Sequence, residues 1–124
     1  MEDCEVLTGE VLIVEDMMII AMEAEDHLRD AGALKCHLAS SVAEALALID
    51  ARKITFALLD VNLGNEVSEP VAQVLKDQGT PFVVASGYGE NNIGHPALGS
   101  APLITKPYTA AQLRRAIERA LGKR

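Results

Sequence analysis

The sequence has no long apolar run, few cysteines and little positive charge, and each shortage excludes a class of protein. No stretch of its 124 residues approaches the roughly 20 consecutive apolar residues that a membrane-spanning helix needs. Residues 1–9 carry three carboxylates and no apolar run, so they do not form a signal peptide. We therefore expect a cytoplasmic protein without membrane insertion, in which Cys4 and Cys36 are reduced thiols and not metal ligands.

Positive charge is scarce, and the formal net charge is −7. A nucleic-acid-binding domain usually carries a basic patch. The one basic cluster lies near the C-terminal end and comprises Arg114, Arg115, Arg119, Lys123 and Arg124. The helix dipole stabilises positive charge at the end of a helix, so a solvated helix end explains this cluster at least as well as a binding patch does. We expect no nucleic-acid partner.

The composition is that of a globular domain with a core, with 49% hydrophobic and 23% charged residues. The length suits one domain, and no repeat, linker or low-complexity segment interrupts it. We predict a flexible N-terminal extension over residues 1–9 and a single domain over residues 10–124, with no DNA-binding or enzymatic output domain.

Short apolar runs alternate with segments of helical periodicity. Strands are predicted at residues 11–14, 34–39, 56–59, 81–85 and 102–105. Helices are predicted at residues 17–31 and from residues 41, 70 and 109, with only a short, weakly encoded helix between 87 and 100. This alternation indicates a parallel sheet with helices on both faces. We predict a flavodoxin-like, doubly wound α/β fold with five strands in the order 2-1-3-4-5.

Local signals mark several helix ends. Ser41 with Glu44, and Thr109 with Gln112, have the spacing of a capping box. Pro70 suits the first turn of a helix, where its missing N–H group costs nothing.

Polar side chains follow four of the predicted strands directly. Glu15 and Asp16 follow the first strand, Asp60 the third, Ser86 the fourth and Lys106 the fifth. Ligands of open α/β sheets bind beyond the carboxyl ends of the strands, where the strand order reverses. We therefore expect these five side chains to meet at one edge of the sheet.

The expected cluster suits phosphoryl transfer to a carboxylate. Three neighbouring carboxylates repel one another unless a cation lies between them, and oxygen ligands of this kind suit Mg²⁺. Lys106 and Ser86 would serve the phosphoryl oxygens. Each of these residues also has an explanation without a binding site. Glu15 and Asp16 could be a favourable acidic start to a helix, turns could follow Asp60 and Ser86, and Lys106 could be a solvated lysine.

Four segments resemble the response-regulator receiver family, whose fold is the CheY-like one, over about residues 10–121. They are Val11-Leu12-Ile13-Val14-Glu15-Asp16, Leu58-Leu59-Asp60-Val61-Asn62-Leu63, Ala85-Ser86-Gly87 and Thr105-Lys106-Pro107. The resemblance implies a stand-alone bacterial response regulator whose partners are a sensor histidine kinase or phosphotransfer protein and a downstream protein.

The resemblance also implies a role for each residue of the site. Asp60 would accept a phosphoryl group from a phosphohistidine, and Ser86 and Lys106 would bind that group. The Mg²⁺ ligands it implies are Glu15, Asp16, Asp60 and the backbone carbonyl of Asn62. The protein would catalyse only its own phosphorylation and dephosphorylation.

Two departures from the family pattern concern the output of the signal. Leu103 stands where receivers often carry a switching aromatic residue. Residues 84–89 instead resemble the Phe-Ala-Thr-Gly motif of an atypical subgroup, which is associated with alphaproteobacterial single-domain regulators and general stress signalling. Ser86, Gly87 and Tyr88 become the switch candidates. We predict that phosphorylation reorders residues 88–100 and that Tyr88 shields the acceptor from water.

Two alternatives stay open. The chain could be a small Mg²⁺-dependent phosphatase-like hydrolase with Asp60 as nucleophile, although its length leaves little room for a substrate pocket. It could also be a pseudo-receiver that binds partners without phosphate, which the presence of both Asp60 and Lys106 disfavours.

Overall fold

The computed structural model describes residues 7–87 and 95–122, in which five strands alternate with five helices. The strands are β1 (Glu10–Val14), β2 (Lys35–Ala39), β3 (Ile54–Asp60), β4 (Phe82–Ser86) and β5 (Leu103–Thr105). The helices are α1 (Met18–Asp30), α2 (Val42–Ala51), α3 (Glu69–Gln78), α4 (Pro96–Gly99) and α5 (Ala110–Ala120). All neighbouring strands pair in parallel in the order β2-β1-β3-β4-β5. The predicted fold is confirmed.

The core lies in two layers, one on each face of the sheet. Successive side chains of a strand point to opposite faces, so β1 sends Val11 and Ile13 to one layer and Leu12 and Val14 to the other. The first layer packs against α1 and α5, and the second packs against α2, α3 and α4. Burial on both faces explains why the central strands are almost continuously apolar.

The central strand β3 begins two residues before the predicted start, at Ile54. Polar Thr55 interrupts the apolar pattern there. Its hydroxyl donates a hydrogen bond to the carbonyl oxygen of Thr8 at 2.7 Å, so this side chain fits a half-buried strand position. Ser86, predicted to follow β4, is the last residue of that strand.

The two predicted capping boxes differ. At the start of α5 both reciprocal bonds form between Thr109 and Gln112, at 2.9 and 3.0 Å. At the start of α2 only one forms, from the Glu44 N–H to the Ser41 hydroxyl. The Glu44 carboxylate accepts from the backbone N–H of Ser40 at 2.8 Å instead, because the additional Ser40 hydroxyl offers it a second donor there. The prediction of a full box at Ser41 was wrong.

Part of the predicted N-terminal extension is packed onto the domain. Leu7 is buried, and its N–H donates to the carbonyl oxygen of Ala31 at 2.8 Å. The Gly9 carbonyl oxygen accepts from the N–H of Leu34. The packed domain therefore includes residues 7–9, and residues 1–6 of the predicted extension lie outside the described residues.

Helix α4 has only four residues, as the glycine-rich sequence around it predicts. Its first turn is held by a carboxylate of α3: Glu69 accepts from the Ala97 N–H at 3.2 Å and lies 3.1 Å from the Nδ1 atom of His95. Residues 88–94, before this contact, lie outside the described residues. Across the described ranges, no helix has the length and apolar character that crossing a membrane requires.

Candidate functional site

Three carboxylates meet at the carboxyl ends of β1 and β3. Asp60 is the last residue of β3, and Glu15 and Asp16 follow β1. The register pairs Val14 with Leu59, and therefore Glu15 and Asp60 emerge side by side. One carboxylate oxygen from each of the three residues lies within 4.8 Å of the others. Glu15 and Asp60 are buried, whereas Asp16 is exposed.

Lys106 brings a positive charge to this cluster. Its Nζ atom lies 3.0 Å from Asp60 Oδ2 and 3.5 Å from Glu15 Oε1. The backbone positions the side chain, because the Lys106 N–H donates to the carbonyl oxygen of Ser86 at 2.8 Å and so extends the pairing of β4 with β5 by one residue. The ammonium group therefore approaches the carboxylates from the β5 side.

Ser86 lies at the same rim and is buried. Asp60 is paired with Ala85, so Ser86 stands one residue beyond Asp60 on the neighbouring strand. Gly87 follows directly. The third switch candidate, Tyr88, lies outside the described residues, so its predicted shielding of the acceptor stays a prediction.

The loop from β3 to α3 closes the site on the side of Asp16. Asn62 forms an isolated bridge with Val67, and the Leu63 N–H donates to the Glu66 carbonyl oxygen at 2.8 Å. Gly64 has a φ of 82° in this turn, a conformation that favours glycine. A Cβ atom there would lie 3.5 Å from Asp16 Oδ2, so the backbone passes close to that carboxylate.

The electrostatics of the site reflect crowded negative charge. Burial, together with the neighbouring negative charge of Asp60, raises the pKa of Glu15 to about 7. Partial burial by itself lowers the pKa of Lys106, but the hydrogen bond to Asp60 and the charges of both carboxylates outweigh it and leave that pKa above its usual value. Lys106 is therefore a fixed cation, and it offsets only part of the repulsion between the carboxylates.

The donor set fits a divalent cation. It consists of carboxylate oxygens that converge from two adjacent strand ends. Burial and the charge of Asp60 disfavour the ionised form of Glu15, and a cation between the carboxylates would favour it. Hard oxygen ligands of this kind suit Mg²⁺. The residues that could hold the ion are Glu15, Asp16 and Asp60, with the backbone carbonyl of Asn62 on the adjoining loop.

Sequence reasoning missed several neighbours of the site. A cavity of about 320 Å³ beside Lys106 is lined by Ile20, Glu23, His27, Lys106, Pro107 and Tyr108. Burial, together with the charges of Glu15 and Asp60, raises the pKa of Tyr108 to about 12, so its phenol stays neutral. The aromatic residue two positions after Lys106 was a visible signal, whereas nothing in the spacing pointed to His27.

The Glu66 carboxylate was also missed. It accepts from the backbone N–H of Val42 at 3.0 Å and so links the loop after Asp60 to the start of α2. Leu103, at the position of the usual switching aromatic residue, is 47% exposed on the edge strand β5.

Comparisons with known proteins agree with this arrangement. The family of response regulator receiver domains matches residues 11–118. SdrG from Sphingomonas melonis Fr1 is 35% identical, with 92% of this chain and 97% of that chain covered and a TM-score of 0.75. The receiver domain of the PhyR response regulator from Erythrobacter litoralis is 24% identical, with 93% and 91% covered and a TM-score of 0.78.

At such low identity the PhyR domain shows a likeness of fold alone, and the same holds for a further structure. The chemotaxis protein CheY4 from Vibrio cholerae is 21% identical, with 92% of this chain and 99% of that chain covered and a TM-score of 0.76. No curated sequence matches the chain. Because the family match covers residues 11–118 and SdrG is similar over nearly the whole chain, this chain belongs to the response regulator receiver domain family.

Proposed function

We propose that this receiver domain accepts a phosphoryl group on Asp60 from a phosphohistidine of a sensor kinase or phosphotransfer protein, as a step in two-component signalling. The observation that carries the proposal is the 3.0 Å contact between Lys106 Nζ and the buried Asp60 carboxylate, beside two further carboxylates. If the pair of Lys106 and Asp60 only stabilised the fold, the two further carboxylates of Glu15 and Asp16 would add repulsion without a benefit.

The chemistry is a transfer between two protein side chains. A carboxylate oxygen of Asp60 forms a bond to phosphorus while the P–N bond of the phosphohistidine breaks, and the imidazole leaves with the electron pair. Lys106 and the hydroxyl of Ser86 stabilise the negative oxygens of the phosphoryl group. Catalysis of this kind depends on positioning and charge, and the buried rim around Asp60 supplies both.

Glu15, Asp16, Asp60 and the carbonyl group of Asn62 would hold Mg²⁺. When bound, the ion neutralises negative charge on the carboxylates and on the phosphoryl oxygens. Gly64 keeps the loop backbone close to Asp16 without a side chain in the way.

A phosphodonor protein has an apolar surface to dock on beside the site. Met17, Met18, Ile19 and Met22 at the start of α1 are each more than half exposed. This surface adjoins the carboxylates directly, because the Met17 N–H donates to Glu15 Oε2 at 3.1 Å. Exposed methionines form adaptable apolar contact surfaces, which supports a protein donor.

The output of phosphorylation would be a change in protein–protein contact, or the passing on or draining of phosphate. Ser86 and Gly87 stand directly before residues 88–94, so a phosphoryl group bound by Ser86 would act first on that segment and on α4. Leu103 lacks the aromatic ring that in many receivers moves together with the serine on phosphorylation. We therefore propose that residues 88–100 transmit the phosphorylation signal. The bacterial origin, the subgroup and the cytoplasmic location stay predictions.

A labelling experiment tests the proposal. The protein is incubated with Mg²⁺ and acetyl phosphate or phosphoramidate, and the mass is measured. We expect the gain of one phosphoryl group in the wild type and in Asp50→Asn, which alters an exposed carboxylate at the end of α2, and no gain in Asp60→Asn. Failure of the wild type with both donors would support the pseudo-receiver.

The hydrolase alternative differs in the number of phosphate monoester molecules that each protein molecule consumes. A phosphorylated receiver consumes small phosphoryl donors slowly through its own acyl phosphate, whereas a hydrolase turns over phosphate monoesters. Repeated turnover of a phosphate monoester such as 4-nitrophenyl phosphate, lost in Asp60→Asn, would replace the signalling proposal with the hydrolase.

A further inference from the structure

The loop from β3 to α3 contributes backbone atoms to the candidate metal site. Asp60 ends β3, and the backbone carbonyl of Asn62 follows two positions later as a candidate ligand. Gly64 brings the loop so close to Asp16 that a Cβ atom there would lie 3.5 Å from Asp16 Oδ2. The position of the loop relative to the carboxylates therefore decides whether these oxygens surround one ion.

Contacts within the loop fix its shape but not its place. Asn62 forms a bridge with Val67, and the Leu63 N–H donates to the Glu66 carbonyl oxygen at 2.8 Å. The side chain of Leu63 is buried in the core layer that packs against α2, α3 and α4. Apolar contact is non-directional, so it does not set the distance between the loop and the end of β1. A directional bond to another element has to do so.

The Glu66 side chain supplies such a bond. Its carboxylate oxygen Oε2 accepts from the backbone N–H of Val42 at 3.0 Å, across 24 positions of the chain, and the bond is partly buried. Val42 is the first residue of α2, where a backbone N–H finds no partner inside the helix. The helix dipole also favours a carboxylate there. The loop is thus attached to the start of a helix by a charge-assisted bond.

This bond closes a ring of contacts around the acidic pair. Helix α2 follows β2 directly, and the last residue of β2, Ala39, accepts from the Glu15 N–H at 2.9 Å. Asp16 comes next in the chain and lies beside Gly64 of the loop. The acidic pair therefore lies between the junction of β2 with α2 and the loop after β3, and Glu66 joins these two segments.

We propose that Glu66 is a positioning residue for the cation: its bond to Val42 holds the loop at the distance from Asp16 that Mg²⁺ requires, and so favours Mg²⁺ over Ca²⁺. Mg²⁺ demands short bonds in near-ideal octahedral geometry, whereas Ca²⁺ accepts longer and more variable ones. Glu66 is not one of the three carboxylates that converge within 4.8 Å, so it acts through the loop and not as a ligand. The inference rests on the metal site named in the proposed function.

Cation binding to the unphosphorylated protein tests the inference. Mg²⁺ and Ca²⁺ are titrated separately by calorimetry, and the NMR amide signals of the loop are followed. In Glu66→Ala the dissociation constant of Mg²⁺ should rise about tenfold, as is typical when a residue that orients metal ligands is removed. The constant of Ca²⁺ should rise by about twofold at most, because its coordination is more adaptable.

Two further variants separate the reach of the side chain from its charge. Glu66→Gln loses the charge but keeps an oxygen that accepts from the Val42 N–H, and it should bind Mg²⁺ nearly as tightly as the wild type. Glu66→Asp keeps the charge but is one methylene shorter, and it should bind Mg²⁺ more weakly than Glu66→Gln. The same comparison serves if Glu66→Ala does not fold.

Glu44→Ala is the matched control. The Glu44 carboxylate also bonds a backbone N–H at the start of α2, that of Ser40 at 2.8 Å, but this bond does not involve the loop. Its removal should leave both dissociation constants unchanged. A readout without metal accompanies the titrations: in Glu66→Ala the amides of Leu63 and Gly64 should exchange with solvent several times faster than in the wild type.

The outcomes distinguish the inference from the proposed function. If the wild type binds neither cation, the metal site is wrong and the inference falls with it. If the wild type binds Mg²⁺ and Glu66→Ala binds it as tightly, only the positioning role is overturned. Equal weakening for Mg²⁺ and Ca²⁺, or weaker binding in Glu66→Gln than in Glu66→Asp, would show an effect of charge or of general stability and would also overturn it.

Discussion

The side chains of Asp60 and Lys106, 46 positions apart in the sequence, meet in a hydrogen bond of 3.0 Å. The bond crosses the carboxyl end of β4 and joins the last residue of β3 to the residue after β5. The same ammonium group lies 3.5 Å from Glu15. One cation thus holds together strand ends that also carry the proposed acceptor and the candidate metal-binding carboxylates.

Replacement of this lysine should destabilise the domain. In Lys106→Met two buried carboxylates face each other without their cation, and loss of a hydrogen bond to a charged group costs about 1.5–3 kcal/mol. Urea unfolding at neutral pH without Mg²⁺ measures the change. Lys53→Met, at an exposed position, is the control and should unfold like the wild type. Equal stability of Lys106→Met and the wild type would show that the ion pair has no net stabilising effect.

Addition of Mg²⁺ should stabilise the domain. At ten times its dissociation constant, an ion that binds only the folded state contributes about 1.4 kcal/mol, and the midpoint of thermal unfolding rises accordingly. Asp16→Asn removes one carboxylate from the candidate metal site and should lose most of this rise, whereas Asp30→Asn at the exposed end of α1 should keep it. A rise of the same size in Asp16→Asn would place the ion elsewhere.

Acid should weaken a second ionic cluster at the opposite end of the sheet. The Glu10 carboxylate lies 2.8 Å from His37 Nε2 and 3.1 Å from Arg52 Nε, and hydrogen bonds to Arg52 and His37 lower its pKa from 4.5 to about 2. A folded-state pKa below the unfolded value means that the stabilisation is present above pH 4.5 and is lost as the pH falls towards 2.

Glu10→Gln isolates this contribution. We expect the difference in unfolding free energy between the wild type and Glu10→Gln to shrink as the pH falls below 4.5. Glu23→Gln, at an exposed position of α1, should show no such change. A difference that does not vary between pH 7 and 3 would contradict the assignment.

The carboxylate of Glu69 should control the order of α4. It bonds the Ala97 N–H and lies 3.1 Å from His95 Nδ1, so it joins the start of α4 to α3. In Glu69→Ala we expect the amides of Leu98 and Gly99 to exchange with solvent several times faster, because a four-residue helix has little stability of its own. Exchange in α5 should not change.

Gln73→Ala, on the exposed face of α3, is the matched control. Phosphorylation of Asp60 should alter exchange of the same α4 amides in the wild type, if residues 88–100 carry the signal. Unaltered exchange there after labelling would exclude that readout.

Much of the fold was predictable because its signals are local. Buried parallel strands are continuous apolar runs, and glycines and capping residues separate them from the helices. The predictions failed where a polar side chain bonds a different partner from the one that the sequence spacing suggests. Thr55 lies within β3, and its hydroxyl donates to the carbonyl oxygen of Thr8. The Glu44 carboxylate accepts from the backbone N–H of Ser40 and not from that of Ser41.

The members of the site were predictable for a different reason. In a parallel sheet all strands end at one edge, so the residues that follow them meet there whatever the details of packing. Glu15, Asp60, Ser86 and Lys106 follow this rule. Glu66 and His27 do not follow a strand, and their proximity depends on how a loop and a helix pack onto the sheet.

The sequence by itself determined the succession of strands and helices and the polar residues at the strand ends, since these depend on the alternation of apolar runs and on the residue that ends each run. Only the tertiary structure decided which charges are neutralised. Lys106 pairs with Asp60, Glu10 with Arg52 and Glu69 with the start of α4, while Arg115 and Arg119 are left without a partner among the described residues. These contacts join side chains that lie a few ångströms apart in space but far apart in the sequence. Their distance in space depends on tertiary packing and cannot be read from their separation along the chain.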